Sequence, residues 1–142
     1  MCALDEADCD RVAAFGLYFG GLCVLDLARS GTKDLHDAIS VYGVLTGPDL
    51  PTSSITARLL LLHGWEDPVA PPQDVVALGE ELNAAKAQWE MRIFGDAMHA
   101  FTLEEADMEA NGILNNSRAV SEQSKSGREG AKDAIDIASR HI

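Results

Sequence analysis

The stretch Val12-Ala13-Ala14-Phe15-Gly16-Leu17-Tyr18-Phe19-Gly20-Gly21, continuing into Leu22 to Ala28, constrains the fold more than any other part of the chain. An apolar run of strand length ends in Gly-x-Tyr-x-Gly-Gly and passes at once into an apolar run long enough for a helix. Strand, tight turn and helix in that order make a nucleophile elbow, a sharp turn that lifts one side chain above the end of a sheet. The chemistry of an elbow asks for Ser or Cys at its tip, and here the tip is Tyr18.

The rest of the chain supplies the elements such an elbow needs. Arg11 to Phe15 reads as the first strand, and Gly20 to Arg29 as a helix closed by Ser30-Gly31, where glycine accepts a left-handed cap without steric cost. Leu35 to Gly43 is β-branched and aromatic in its middle and reads as the second strand; Thr46 to Ser54 carries the Gly, Pro and Ser of a loop. Arg58 to His63 (Arg-Leu-Leu-Leu-Leu-His) is a third strand, apolar on both faces. The prolines of Gly64 to Pro72 mark a loop, and Gln73 to Lys86 is an amphipathic helix with Val76, Leu78, Leu82 and Ala85 inward. Trp89 to Phe94 alternates as a fourth strand and Gly95 to Thr102 is the loop after it. Roughly residues 115–140 read as a polar C-terminal helix, and Ala3 to Asp10 as a short acidic lead-in. Four strands alternating with helices predict one α/β domain over residues 1–142, a parallel sheet of about four strands with helices on both faces.

Charge and cysteine usage narrow the partners. With 11 basic and 23 acidic residues the 142-residue chain carries a net charge of −12, which repels nucleic acid and anionic membranes alike. No window approaches the roughly 20 apolar residues of a membrane span. Acid rather than base follows Met1, so the expected compartment is the cytoplasm. Cys2, Cys9 and Cys23 are odd in number and show no Cys-x-x-Cys spacing, which suggests reduced thiols; Cys23, between Leu22 and Val24, reads as core. No two histidines have the spacing of a metal site, His63 ends a strand, and no cofactor is called for.

In a parallel sheet, chemistry gathers in the loops that leave the carboxyl ends of the strands. Three such loops carry Tyr18, Asp67 and His99, the order nucleophile, acid, base. Ser or Cys is a poor nucleophile until a histidine takes its proton, and the histidine needs a carboxylate to fix its tautomer. The blocks Ala14-Phe15-Gly16-Leu17-Tyr18-Phe19-Gly20-Gly21, Leu61-Leu62-His63-Gly64-Trp65-Glu66-Asp67-Pro68-Val69 and Phe94-Gly95-Asp96-Ala97-Met98-His99-Ala100-Phe101 together resemble those of the dienelactone hydrolase family of α/β-hydrolases.

The resemblance implies that Tyr18 occupies the nucleophile's position, which in that family is a cysteine in Gly-x-Cys-x-Gly-Gly. It implies that Asp67 orients His99 as general base and that the backbone N–H of Phe19 serves an oxyanion hole. It also implies an N-terminal truncation, since family chains carry further strands before the elbow, and hence an exposed edge at Arg11 to Phe15. An apolar edge invites a second chain, so a homodimer through that strand is expected. Two readings stand open. One is a catalytically impaired, dienelactone-hydrolase-like protein that keeps the acid and base and binds a small ester or lactone. The other is an active ester or lactone hydrolase whose site a partner chain completes.

Overall fold

The computed structural model describes residues 12–48, 54–95 and 97–101. Its elements are β1 (Val12–Leu17), α1 (Phe19–Arg29), β2 (Leu35–Val41), β3 (Arg58–Gly64), α2 (Pro72–Ala84) and β4 (Gln88–Phe94). The strands form one four-stranded sheet in the order β1-β2-β3-β4, every neighbouring pair parallel. This is the predicted parallel sheet of four strands, whereas helices were expected on both of its faces and the two described ones share one. The expected stretches Ala3 to Asp10 and 115–140 lie outside the described residues.

Register and burial divide the sheet into two faces. Ala38 pairs with Leu59 and Leu59 with Trp89, and this row packs with Val24, Leu25 and Ala28 of α1 and Val75, Leu78 and Leu82 of α2. Both described helices therefore share one face. The reason is topological: the strand order advances in one direction, and right-handed crossovers between parallel strands then all pass over the same side. A helix on the other side requires a connection that runs back along the sheet, and the described residues contain none. That second face presents Ile39, Val41, Leu60 and Leu62, packed with Tyr42, Phe94, Ala97 and Phe101. The four leucines of β3 are thus shared between two cores, which is why the strand reads as unbroken apolar sequence.

Two expectations change at the level of single residues. Val75, Leu78 and Leu82 form the buried stripe of α2, while Val76 is 57% exposed. The helix begins at Pro72, and its inward positions follow the spacing i, i+3, i+7 from 75 rather than from 76. Cys23 is exposed rather than core, because it faces away from the side of α1 that carries Val24 and Leu25.

The helix pair is tied by a buried cation whose neighbours in the chain offer no reason for its burial. Arg29, 6% exposed, donates from Nε and one terminal nitrogen to the two carboxylate oxygens of Glu81, both at 2.9 Å. It also reaches Asp26 Oδ1 at 3.0 Å and the Leu45 carbonyl at 2.8 Å. Burial works against the charge, but Glu81 and Asp26 outweigh it and hold the guanidinium above its ordinary pKa. One side chain so joins α1, α2 and the segment after β2. Arg29→Leu should remove the guanidinium from the Leu45 carbonyl and the Glu81 carboxylate and destabilise the protein by about 3 kcal/mol in urea unfolding. Arg29→Lys should recover only part of the loss, because an ammonium cannot make the two-pronged contact.

Candidate active site

β1, α1 and the turn between them set the first position. Tyr18 has φ 51° and ψ −115°, a left-handed backbone for a bulky residue and a strained one, of order 1–3 kcal/mol. It is held there by its N–H to the Val41 carbonyl (3.2 Å) and by its carbonyl accepting from Leu22 N–H (3.1 Å). Gly16 makes the turn feasible: a Cβ there would lie 2.1 Å from the Gly20 carbonyl oxygen. Tyr18 itself is 51% exposed at the carboxyl end of β1. Phe19 opens α1, so its N–H is among the first four of the helix, which no intrahelical carbonyl can satisfy.

Asp67 and His99 meet at the carboxyl ends of β3 and β4. Asp67, 1% exposed, accepts at Oδ1 from Val69 N–H and at Oδ2 from His99 Nδ1–H, each at 2.8 Å. The two loops are joined along their backbones as well: Trp65 N–H reaches the Phe94 carbonyl at 2.9 Å and Glu66 N–H the Ala97 carbonyl at 3.1 Å. Gly64 permits this approach, since a Cβ would stand 2.2 Å from the Ala97 oxygen. Burial drives the Asp67 carboxyl up, but the hydrogen bonds from His99 and Val69, with the nearby histidine rings, outweigh it and hold its pKa below the ordinary value. With Nδ1–H committed to Asp67, the His99 nitrogen left to accept a proton is Nε2.

The His99 ring lies between two tyrosines. Tyr18 meets it edge-on with centroids 4.9 Å apart, and Tyr42 does the same at 5.4 Å. The contact to Tyr18 is between rings, with no hydrogen bond from the phenol to His99. Tyr42, 2% exposed with φ 38°, directly follows β2 and packs on Phe101. Sequence reasoning left Tyr42 inside a strand; the signal available was its place at the carboxyl end of β2, where the other site residues' counterparts lie. His63, read only as a strand end, is also part of the site: it is buried, with Nε2 3.9 Å from Asp67 Oδ2. Tyr18, Asp67 and His99 are therefore brought together. His36 stands apart, accepting from Val12 N–H at the opposite end of the sheet.

A one-way parallel sheet with a strained elbow, a buried acid and a histidine at its carboxyl ends defines a protein of α/β-hydrolase type. The model of the dienelactone hydrolase family matches residues 2–135, and the chain belongs to that family. It is 35% identical over 112 residues to an uncharacterized protein of Caenorhabditis elegans, covering 75% of this chain and 66% of that one. It is 31% identical over 103 residues to the Escherichia coli protein named "Putative carboxymethylenebutenolidase", covering 66% of this chain and 38% of that protein. Among solved structures, a dienelactone hydrolase-like promiscuous phosphotriesterase from metagenomic libraries superposes with a TM-score of 0.68 at 27% identity, over 92% of this chain and 55% of its own. The chain thus spans between about a third and two-thirds of the length of these relatives.

The lowered pKa of Asp67 gives stability a defined pH dependence. A carboxyl whose folded pKa lies below its unfolded value, about 3.9, stabilises the fold fully above that value and stops doing so as pH falls through the folded one. Asp67→Asn should therefore cost about 1–3 kcal/mol at neutral pH. Its deficit relative to the unaltered protein should shrink below about pH 4, as measured by urea unfolding across a pH series.

Proposed function

We propose that this chain is a dienelactone-hydrolase-like protein that keeps the acid and base of a hydrolase site, Asp67 and His99, and is impaired in turnover because Tyr18 stands where the family has a thiol. The observation that carries this is the elbow itself. Its backbone takes the strained geometry that serves a nucleophile, yet the side chain at its tip meets His99 as a ring edge rather than through a proton it could give up. A phenol has a reference pKa near 10, and its oxygen lies several ångströms farther from the backbone than a cysteine sulfur would. A displacement of about 1 Å from reacting geometry can cost on the order of 100-fold, so an acyl-enzyme at Tyr18 is disfavoured. The Phe19 N–H would face the oxyanion of a nucleophile placed nearer the turn. What the site retains is His99 flanked by the rings of Tyr18 and Tyr42, and the ligand it would take is a small ester or lactone.

The second reading is an active ester or lactone hydrolase whose site a partner chain completes. Here His99 Nε2 takes a proton from water, the resulting hydroxide oxygen bonds to the carbonyl carbon, and the alcohol leaves with the proton His99 returns. It is favoured by one feature: among the described residues β1 is an edge strand, with Val12, Phe15 and Leu17 at 47%, 50% and 40% exposure. Such an edge suits a two-fold homodimer, which would bring a second chain close to Tyr18.

Hydrolysis of p-nitrophenyl acetate separates the readings. The unaltered protein should match His99→Ala, and Tyr18→Cys should acquire activity that His99→Ala then abolishes. An unaltered rate about 100-fold above His99→Ala, the usual contribution of a working general base, would establish the second reading instead. Sedimentation at micromolar concentration should show a dimer that Phe15→Lys converts to monomer; a stable monomer of the unaltered chain would sink the edge-pairing proposal.

A further inference from the structure

His63 follows four leucines at the end of an apolar run, yet it is a histidine, 1% exposed. Its Nε2 lies 2.9 Å from the carbonyl oxygen of Ala70, itself fully buried. A carbonyl can only accept, so Nε2 carries a proton, and in the neutral ring Nδ1 carries the lone pair. Nδ1 has no hydrogen-bond partner among the described residues, although it is buried. The ring has given up hydration on one side in order to keep one donor aimed at one carbonyl, a loss that packing alone does not call for. The 3.9 Å from Nε2 to Asp67 Oδ2 is beyond hydrogen-bond range, so His63 is not a direct partner of the carboxylate.

What the bond to Ala70 closes is the loop that holds the acid. The loop's first limb is fixed to the β4 side by the N–H groups of Trp65 and Glu66, and its centre by Asp67 N–H to the Gly64 carbonyl at 3.3 Å. Its returning limb, after the Asp67 to Val69 turn, passes Ala70 and meets Pro71 and Pro72, where α2 begins. The Ala70 carbonyl held by His63 is the anchor of that limb. Val69, whose N–H Asp67 Oδ1 accepts, immediately precedes that anchor in the limb. We infer that His63 is a positioning residue for the acid: it pins the 64–70 loop through Ala70 so that Asp67 presents one oxygen to Val69 N–H and the other to His99. The inference rests on reading Asp67 and His99 as an acid and base pair, but it requires no turnover.

The test is NMR of carboxyl- and imidazole-labelled protein. His63→Gln keeps an N–H at the reach of Nε2, and His63→Leu keeps apolar volume without a donor. In the Gln variant the low-field resonance of the His99 Nδ1 proton and the depressed Asp67 titration should persist. In the Leu variant that resonance should broaden into solvent exchange, and the proton affinity of Asp67 should rise about tenfold as its donors loosen. A Leu variant that loses thermal stability but keeps both signals would show a merely structural histidine and overturn the inference. Should the Leu variant not fold, the nitrogen shifts of His63 in the unaltered protein decide: protonated Nε2 with a free Nδ1 supports the anchor, and the opposite tautomer overturns it. A silent esterase assay leaves these signals untouched, whereas absence of the His99 resonance from the unaltered protein would remove the acid and base reading and this inference with it.

Discussion

A buried carboxylate is the constraint around which the functional end of the molecule is built. Asp67 is almost wholly removed from water, and an ionised carboxyl in that position must be surrounded by donors or it destabilises the fold. Val69 N–H supplies one donor and His99 supplies the other. Meeting that need draws the loop after β4 against the loop after β3, which Gly64 allows by carrying no side chain. Because Nδ1–H is spent on the acid, the other nitrogen of His99 is the one offered to the space above the elbow. Which nitrogen of His99 stays free is thus a by-product of how the carboxylate is satisfied.

The elbow shows a different balance. Its backbone conformation at Tyr18 is one that a bulky residue adopts only when surrounding contacts compel it, here the hydrogen bond to Val41 and the start of α1. Strain of this kind can expose the side chain at the tip of a turn, and here that side chain meets His99 through its ring. Tyr18 and Tyr42 instead enclose the histidine from two sides. The scaffold of the site and the group at its tip therefore answer to different demands, the first to the family's fold and the second to packing around His99.

Several features were legible in the chain because they depend on neighbours in sequence. The strand, turn and helix around Tyr18 follow from Gly16 and the apolar runs on either side. The strand of Leu59 to Leu62 follows from its unbroken apolar character, and the left-handed Gly31 follows from its place after α1. The features that were missed depend on partners far away. Arg29 is buried because Glu81, Asp26 and the Leu45 carbonyl converge on it, and nothing near position 29 announces that. Val75 rather than Val76 joins Leu78 and Leu82 on the inward stripe because packing against the sheet decides which edge of that stripe is covered. Tyr42 and His63 ended apolar runs and looked like strand residues, whereas their positions at the carboxyl ends of β2 and β3 bring them to His99 and Asp67.

The sequence by itself determined the kinds of elements, their order, and the three loops on which Tyr18, Asp67 and His99 are carried, because hydrophobic period and turn chemistry are local properties. Tertiary structure alone decided which face of the sheet the helices cover, since that depends on the direction in which successive strands are added. It also decided which histidine nitrogen is bound by the acid, and that the phenol approaches His99 through its ring. Those outcomes are set by register and by the mutual satisfaction of buried polar groups, which exist only once distant segments have packed.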